Sequence, residues 1–186
     1  KCMRNRSGVK LLAVLTAVTI SFPIQSSAGE WRRNGDQWQY ILEDGREQRN
    51  SWLKTDDGKW YHFDENGVMR TGWYQDQDQK WYYLEADGFM ASGWKEIDGK
   101  WYYLEADGSM ASGWKEIDGK WYYLDADGRM TTGWRSVNGK WYYLNENGDM
   151  AAGWIFVNGR WYYLNADGDM AIGWILVNGR WYYLNA

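Results

Sequence analysis

The chain has 186 residues, with 16 Trp and 15 Tyr beside only 4 Phe and 1 Pro, and a formal net charge of −4. A globular core ordinarily leans on Leu, Ile, Val and Phe, so these proportions exclude a conventional core and make the aromatics packing material, binding surface, or both. The single Cys excludes a disulfide framework, and the acidic balance argues against nucleic acid or anionic membranes as partners and suits a cationic one.

Residues 1–28 differ from the rest. Lys1, Arg4, Arg6 and Lys10 precede an apolar run from Leu11 to Ile20, and Ser26-Ser27-Ala28 then offers small residues for cleavage. These are the three parts of a secretory signal peptide, and the run is short for a membrane anchor. Cleavage after Ala28 removes four basic residues and Cys2, leaving 17 basic against 25 acidic residues, about −8, and no membrane span. The expected product is secreted. Residues 29–50 read as an atypical first repeat that caps the array. Residues 51–186 read as regular repeats with an incomplete last unit.

The repeat accounts for every Trp. The pairs are Trp31 with Trp38, Trp52 with Trp60, Trp73 with Trp81, Trp94 with Trp101, Trp114 with Trp121, Trp134 with Trp141, Trp154 with Trp161, and Trp174 with Trp181. The period is 21 residues at first and 20 from Trp94 onward. Within a unit, Asp98-Gly99 is a dipeptide suited to a two-residue type I′ turn, and Asn138-Gly139, Asn158-Gly159 and Asn178-Gly179 repeat that chemistry. The flanks are rich in Trp, Tyr and β-branched residues, so each unit predicts a β-hairpin, and Asp107-Gly108 turns the chain toward the next. A lone hairpin is marginal in water, so the units must stack into an all-β hairpin solenoid.

The turn sets the facing. With Asp98 and Gly99 as the loop, Trp94 pairs with Tyr103, Lys95 with Tyr102, Glu96 with Trp101 and Ile97 with Lys100. Alternation then places Trp94, Glu96, Trp101 and Tyr103 on one face, and Lys95, Ile97, Tyr102 and Leu104 on the other. The second face reads as the packing seam. The first carries more aromatic surface than one hairpin can bury, with Met90, Met110, Met130, Met150 and Met170 recurring just before the next Gly-Trp. A quaternary ammonium has no hydrogen to donate, so electron-rich ring faces are what can recognise it.

The unit Gly-Trp-x-x-x-x-Gly-Lys-Trp-Tyr-Tyr-Leu-x-x-x-Gly-x-Met resembles the cell-wall-binding repeat of the choline-binding proteins of pneumococci and their phages, over essentially all of Trp31 to Ala186. The resemblance implies a left-handed superhelix of hairpins that holds choline, or the phosphocholine of teichoic and lipoteichoic acids, between consecutive units. The ligand is not a cofactor, and no metal is implied. Each cage would use both Trp of one hairpin and the second Tyr of the next, supported by Met90, Met110, Met130, Met150 and Met170. Carried over, Trp52 and Trp60 would use Tyr83, Trp73 and Trp81 would use Tyr103, and Trp94 and Trp101 would use Tyr123. Trp114 and Trp121 would use Tyr143, Trp134 and Trp141 would use Tyr163, and Trp154 and Trp161 would use Tyr183. Facing agrees, since it groups both Trp with the second Tyr.

The ends depart from the pattern. Trp31 and Trp38 would meet His62, a poorer ring that repels choline when protonated, so that cage is doubtful. Trp174 and Trp181 have no following hairpin and leave an open site, which also admits a choline-dependent dimer. Repeated Asp and Glu such as Asp107, Asp127 and Asp167 read as turn formers, so no enzyme activity is expected within these residues. A wall-hydrolase domain (lysozyme or amidase) beyond Ala186 would fit the resemblance. Carbohydrate binding of the glucan-binding kind is the competing function, because Trp faces also stack on sugar rings.

Overall fold

The computed structural model describes residues 29–185; the expected signal segment, residues 1–28, lies outside the described residues. The chain runs β1 (Glu30–Asn34), β2 (Gln37–Ile41), β3 (Ser51–Lys54), β4 (Trp60–Phe63), β5 (Gly72–Gln75), β6 (Trp81–Leu84), β7 (Gly93–Ile97) and β8 (Lys100–Leu104). It continues as β9 (Gly113–Ile117), β10 (Lys120–Leu124), β11 (Gly133–Val137), β12 (Lys140–Leu144), β13 (Gly153–Val157), β14 (Arg160–Leu164), β15 (Gly173–Val177) and β16 (Arg180–Leu184). Each odd strand pairs antiparallel with the next even one, giving eight two-stranded sheets among the described residues. The all-β hairpin array expected from the period is the observed fold.

Turn chemistry sets the register. Asp98 and Gly99 have φ of 51° and 71°, the left-handed pair that a type I′ turn demands. The cross-strand pairs are accordingly Trp94 with Tyr103, Lys95 with Tyr102, Glu96 with Trp101 and Ile97 with Lys100. The packing seam also lies where alternation places it. Leu84, Leu104, Leu124, Leu144 and Leu164 are fully buried, with Phe63 replacing leucine in the second unit. The core is therefore a row of small clusters along the array, such as Ala91, Ile97, Tyr102 and Leu104, rather than one central cluster.

Among the described residues no strand pairs with a strand of another hairpin, so neighbouring units are joined by their connecting turns. The Met130 amide donates to the Trp101 carbonyl of the preceding hairpin at 2.8 Å, and Met150 to Trp121 and Met170 to Trp141, both at 2.7 Å. Met69, Met90 and Met110 make the same bond to Trp38, Trp60 and Trp81. These bonds set one hairpin's packing face against the aromatic face of the one before it. Front meets back along the array.

Candidate functional site: aromatic cages between hairpins

The front-to-back arrangement decides which rings converge. The Trp94 ring lies 6.4 Å from Trp101 within its own hairpin and 4.9 Å from Tyr122 of the next. The cavity they enclose, ≈ 440 Å³, is completed by Met130 and by Glu146 and Asn147 from a turn one unit further on. Trp114, Trp121, Tyr142 and Met150 enclose a second of the same volume, rimmed by Ala166 and Asp167. Trp52, Trp60, Tyr82 and Met90 enclose a third of ≈ 300 Å³, with Asp76 in the wall and Ala106 and Asp107 at the rim. Each cavity thus draws on three consecutive units.

The third ring is therefore the first Tyr of the next hairpin's Trp-Tyr-Tyr, and not the second as the resemblance implied. Tyr83, Tyr103, Tyr123, Tyr143, Tyr163 and Tyr183 lie instead 5.1–5.3 Å from the first Trp of their own hairpins. They share a face with that Trp, as alternation requires, and back it rather than closing the cavity from the other side. The following hairpin covers the first three of them with a cation. Lys95 sits 5.9 Å over Tyr83, Lys115 6.0 Å over Tyr103 and Arg135 5.4 Å over Tyr123.

The same geometry repeats along the chain. Trp73 lies 4.9 Å from Tyr102, Trp134 4.8 Å from Tyr162 and Trp154 4.9 Å from Tyr182. At the N-terminal end Trp31 and Trp38 meet Tyr61, 4.8 Å from Trp31, so this cage has a tyrosine wall and His62 takes no part in it. Met69, whose amide bonds to Trp38, occupies the position of the later methionines and belongs with them. Among the described residues Trp174 and Trp181 meet no tyrosine from a following hairpin, and both are largely exposed.

His62 has a different role. It is 2 % exposed, stacked 4.1 Å from Tyr74 and edge-on to Trp52 at 5.0 Å, and its Nδ1 has no hydrogen-bond partner. Tyr74 occupies the position at which Lys95 covers Tyr83, so a ring covers a ring here where Lys95, Lys115 and Arg135 cover one in the next three hairpins. Burial, reinforced by the Arg70 charge, lowers the His62 pKa to about 4, against the opposing pull of Asp76 and Asp64. The folded pKa lies below that of an unfolded histidine, near 6.5. Between these values the unfolded chain binds the proton and the folded one does not. Stability from this group is thus complete above pH 6.5 and is lost as pH falls toward 4. Between pH 7 and 4.5 the protein is expected to lose on the order of 2 kcal/mol more than a His62→Phe variant, read from urea midpoints.

Among the described residues no group of three or more His, Cys, Asp or Glu side chains could hold a metal ion. The walls of these cavities are aromatic faces and thioethers, with carboxylates at their edges and, in one of them, Asp76 in the wall.

A family model described as the choline-binding repeat matches residues 50–93, 91–130, 111–153 and 151–186. No curated protein sequence matches the chain. The structure of CbpJ from Streptococcus pneumoniae TIGR4 is 43% identical, with a TM-score of 0.75 over 80% of this chain and 54% of that one. Choline binding protein F from Streptococcus pneumoniae, crystallised in the presence of a tetrasaccharide-pentapeptide peptidoglycan analogue, is 41% identical, with a TM-score of 0.71 over 80% and 54%. The chain spans about half the length of either. The repeat matches cover most of the sequence, and the aligned structures share its succession of hairpins. The chain belongs to the choline-binding repeat family.

Proposed function

We propose that this array is a non-catalytic anchor that binds the choline groups of phosphocholine-decorated teichoic and lipoteichoic acids, and so holds a secreted protein on the bacterial cell wall. The observation that carries this reading is the recurring convergence of three rings on one open cleft, as in Trp94, Trp101 and Tyr122, with no hydrogen-bond donor required of the ligand. The acidic residues at the rims, Glu146, Asp107 and Asp167, add attraction for a cation. Each ring contributes about 0.5–2 kcal/mol, so a single cage binds at roughly millimolar concentration. Several cages on one rod facing a polymer with many cholines gain a factor of about 10²–10⁴ through avidity. Repetition is then the source of useful affinity.

The proposed ligand-binding residues are the paired Trp from Trp31 to Trp161 with Tyr61, Tyr82, Tyr102, Tyr122, Tyr142, Tyr162 and Tyr182. Met69, Met90, Met110, Met130, Met150 and Met170 line the cages beside them. Residues 1–28 would direct secretion, and residues 29–50 would supply the first hairpin.

Choline titration of tryptophan fluorescence should give a saturable change at roughly millimolar ligand. The protein should also stay on a choline resin until free choline releases it. Release by glucan, with no effect of choline, would instead establish the sugar-binding function.

A further inference from the structure

The cages are not equivalent, and the one built from Trp52, Trp60 and Tyr82 has a carboxylate in its wall. Asp76 belongs to the loop between β5 and β6, which is longer than the two-residue Asp-Gly and Asn-Gly turns of later hairpins. Counted from Trp73, Asp76 takes the position of Ile97 in the later hairpin, pairing with Lys80 as Ile97 does with Lys100, so it lies on the packing face toward the preceding unit. Its Oδ2 accepts the Trp52 indole N–H at 2.8 Å, and its Oδ1 accepts the Tyr74 hydroxyl at 3.1 Å and the Gln77 amide at 2.7 Å. Among the described residues no other indole donates to a carboxylate. Asp76 lines the cavity together with the rings, Met90 and Asp107.

The carboxylate is held charged. Burial raises its pKa, but the bonds from Trp52, Gln77 and Tyr74 outweigh burial and leave it below the usual carboxylate range. Of the neighbouring basic groups, Arg70 stacks 4.8 Å over the Tyr74 ring and does not line the cavity. His62 is neutral near pH 7. Lys80 is paired with Asp107 at 3.3 Å, and Lys54 lies 5.7 Å over Trp60 without lining the cavity. Tyr82 registers the local negative potential: burial, with the charges of Asp78, Asp107 and Asp76, pushes its phenol up to about 12.

We infer that the Trp52/Trp60/Tyr82 cage is a charge-assisted site that binds alkylammonium ions more tightly than its neighbours and accepts those that carry an N–H. This rests on the choline reading of the cages. A quaternary head offers Asp76 only its charge. A protonated tertiary amine offers charge and a hydrogen-bond donor, and so recovers here what it loses in hydration. In a cage of rings and thioether alone, the N–H has no acceptor, and the quaternary ion is preferred. The site at the N-terminal side of the array is therefore the less selective one.

The test is fluorine NMR of the full chain labelled with 5-fluorotryptophan, with signals assigned by single Trp→Phe changes. Choline and protonated N,N-dimethylethanolamine are titrated at pH 7. In the parent protein the Trp52 and Trp60 signals should titrate at about three- to fivefold lower choline than those of Trp114 and Trp121, the gain of a partly exposed ion pair. The amine should rival choline at Trp52 and Trp60 and lag behind it at Trp114 and Trp121. Asp76→Asn keeps an acceptor for the indole and removes the charge. It should erase both differences while leaving Trp114 and Trp121 unchanged, which also reports that the array stays folded. Equal titration of the two cages in the parent, or no change in Asp76→Asn, overturns the inference. If no tryptophan responds to choline, the choline reading beneath it falls instead.

Discussion

Replacing Tyr122 by leucine is expected to weaken choline binding at the Trp94/Trp101 cage by about 2- to 30-fold, the contribution of one lost ring. The same change at Tyr123 should leave that cage within about twofold, because Tyr123 adds no ring to it. Tyr122 reaches toward Trp94 from the back of the following hairpin and lines the cavity, whereas Tyr123 points the opposite way, 5.1 Å from Trp114. Leucine keeps apolar bulk at a half-buried site and removes only the ring, so binding is separated from folding. Fluorotryptophan signals of Trp94 and Trp101 are the readout. Tyr123→Leu should act on Trp114 and Trp121 instead, through loss of the ring that backs Trp114. Loss of the Trp94 response in Tyr123→Leu, with Tyr122→Leu unaffected, would return the third wall to the second tyrosine.

That contrast marks how far the sequence can be read. Hairpin register is local: Asp98-Gly99 and Asn138-Gly139 specify a two-residue turn, and each cross-strand pair follows by counting outward. The packing face follows too, since alternation groups Leu104 with Tyr102 and Ile97, and all three are buried. The third ring is a relation between hairpins, set by long-range bonds such as that from Met130 to Trp101. A signal for it was nonetheless present. If Leu104 must be buried against a neighbour, Tyr102 beside it must face that neighbour as well. Grouping the second Tyr with its own Trp pair correctly described one hairpin and wrongly described the space between two.

His62 and Asp76 were hidden for another reason. Aligned by period, His62 falls in the second-Tyr column, and that column does not line the cavities. Its burial depends on Tyr74 in the Lys95 position, a covariation between two units that a single column does not display. Asp76 stands in the column that holds Ile97, Ile117 and Val137 in later units, and a carboxylate there reads as a turn residue of the longer loop rather than as part of the packing face. The 21-residue spacing of the early units was the available sign that their loops carry something extra.

The turns that join the units give the other large effect. Gly148→Ala is expected to destabilise the protein by about 2–5 kcal/mol, combining left-handed backbone strain of about 1–2 kcal/mol with overpacking of about 1–3 kcal/mol. Gly148 has φ of +83°, and a Cβ there would lie 2.3 Å from the Met130 Sδ and 2.8 Å from both its Cε and Cγ. Relief requires nearly the whole methionine side chain to move, and Met130 is a wall of the Trp94/Trp101 cage. Gly139→Ala is the control, because its φ of +78° is similar and nothing lies within 4 Å of the added Cβ. Gly139→Ala should therefore cost only the backbone part, about 1–2 kcal/mol. The difference between the two urea midpoints isolates the methionine contact. Choline response at Trp94 should fall in Gly148→Ala and persist in Gly139→Ala. Equal destabilisation by both changes, with both responses intact, would mean that Met130 yields freely and that turn stacking contributes little to either the fold or the cage.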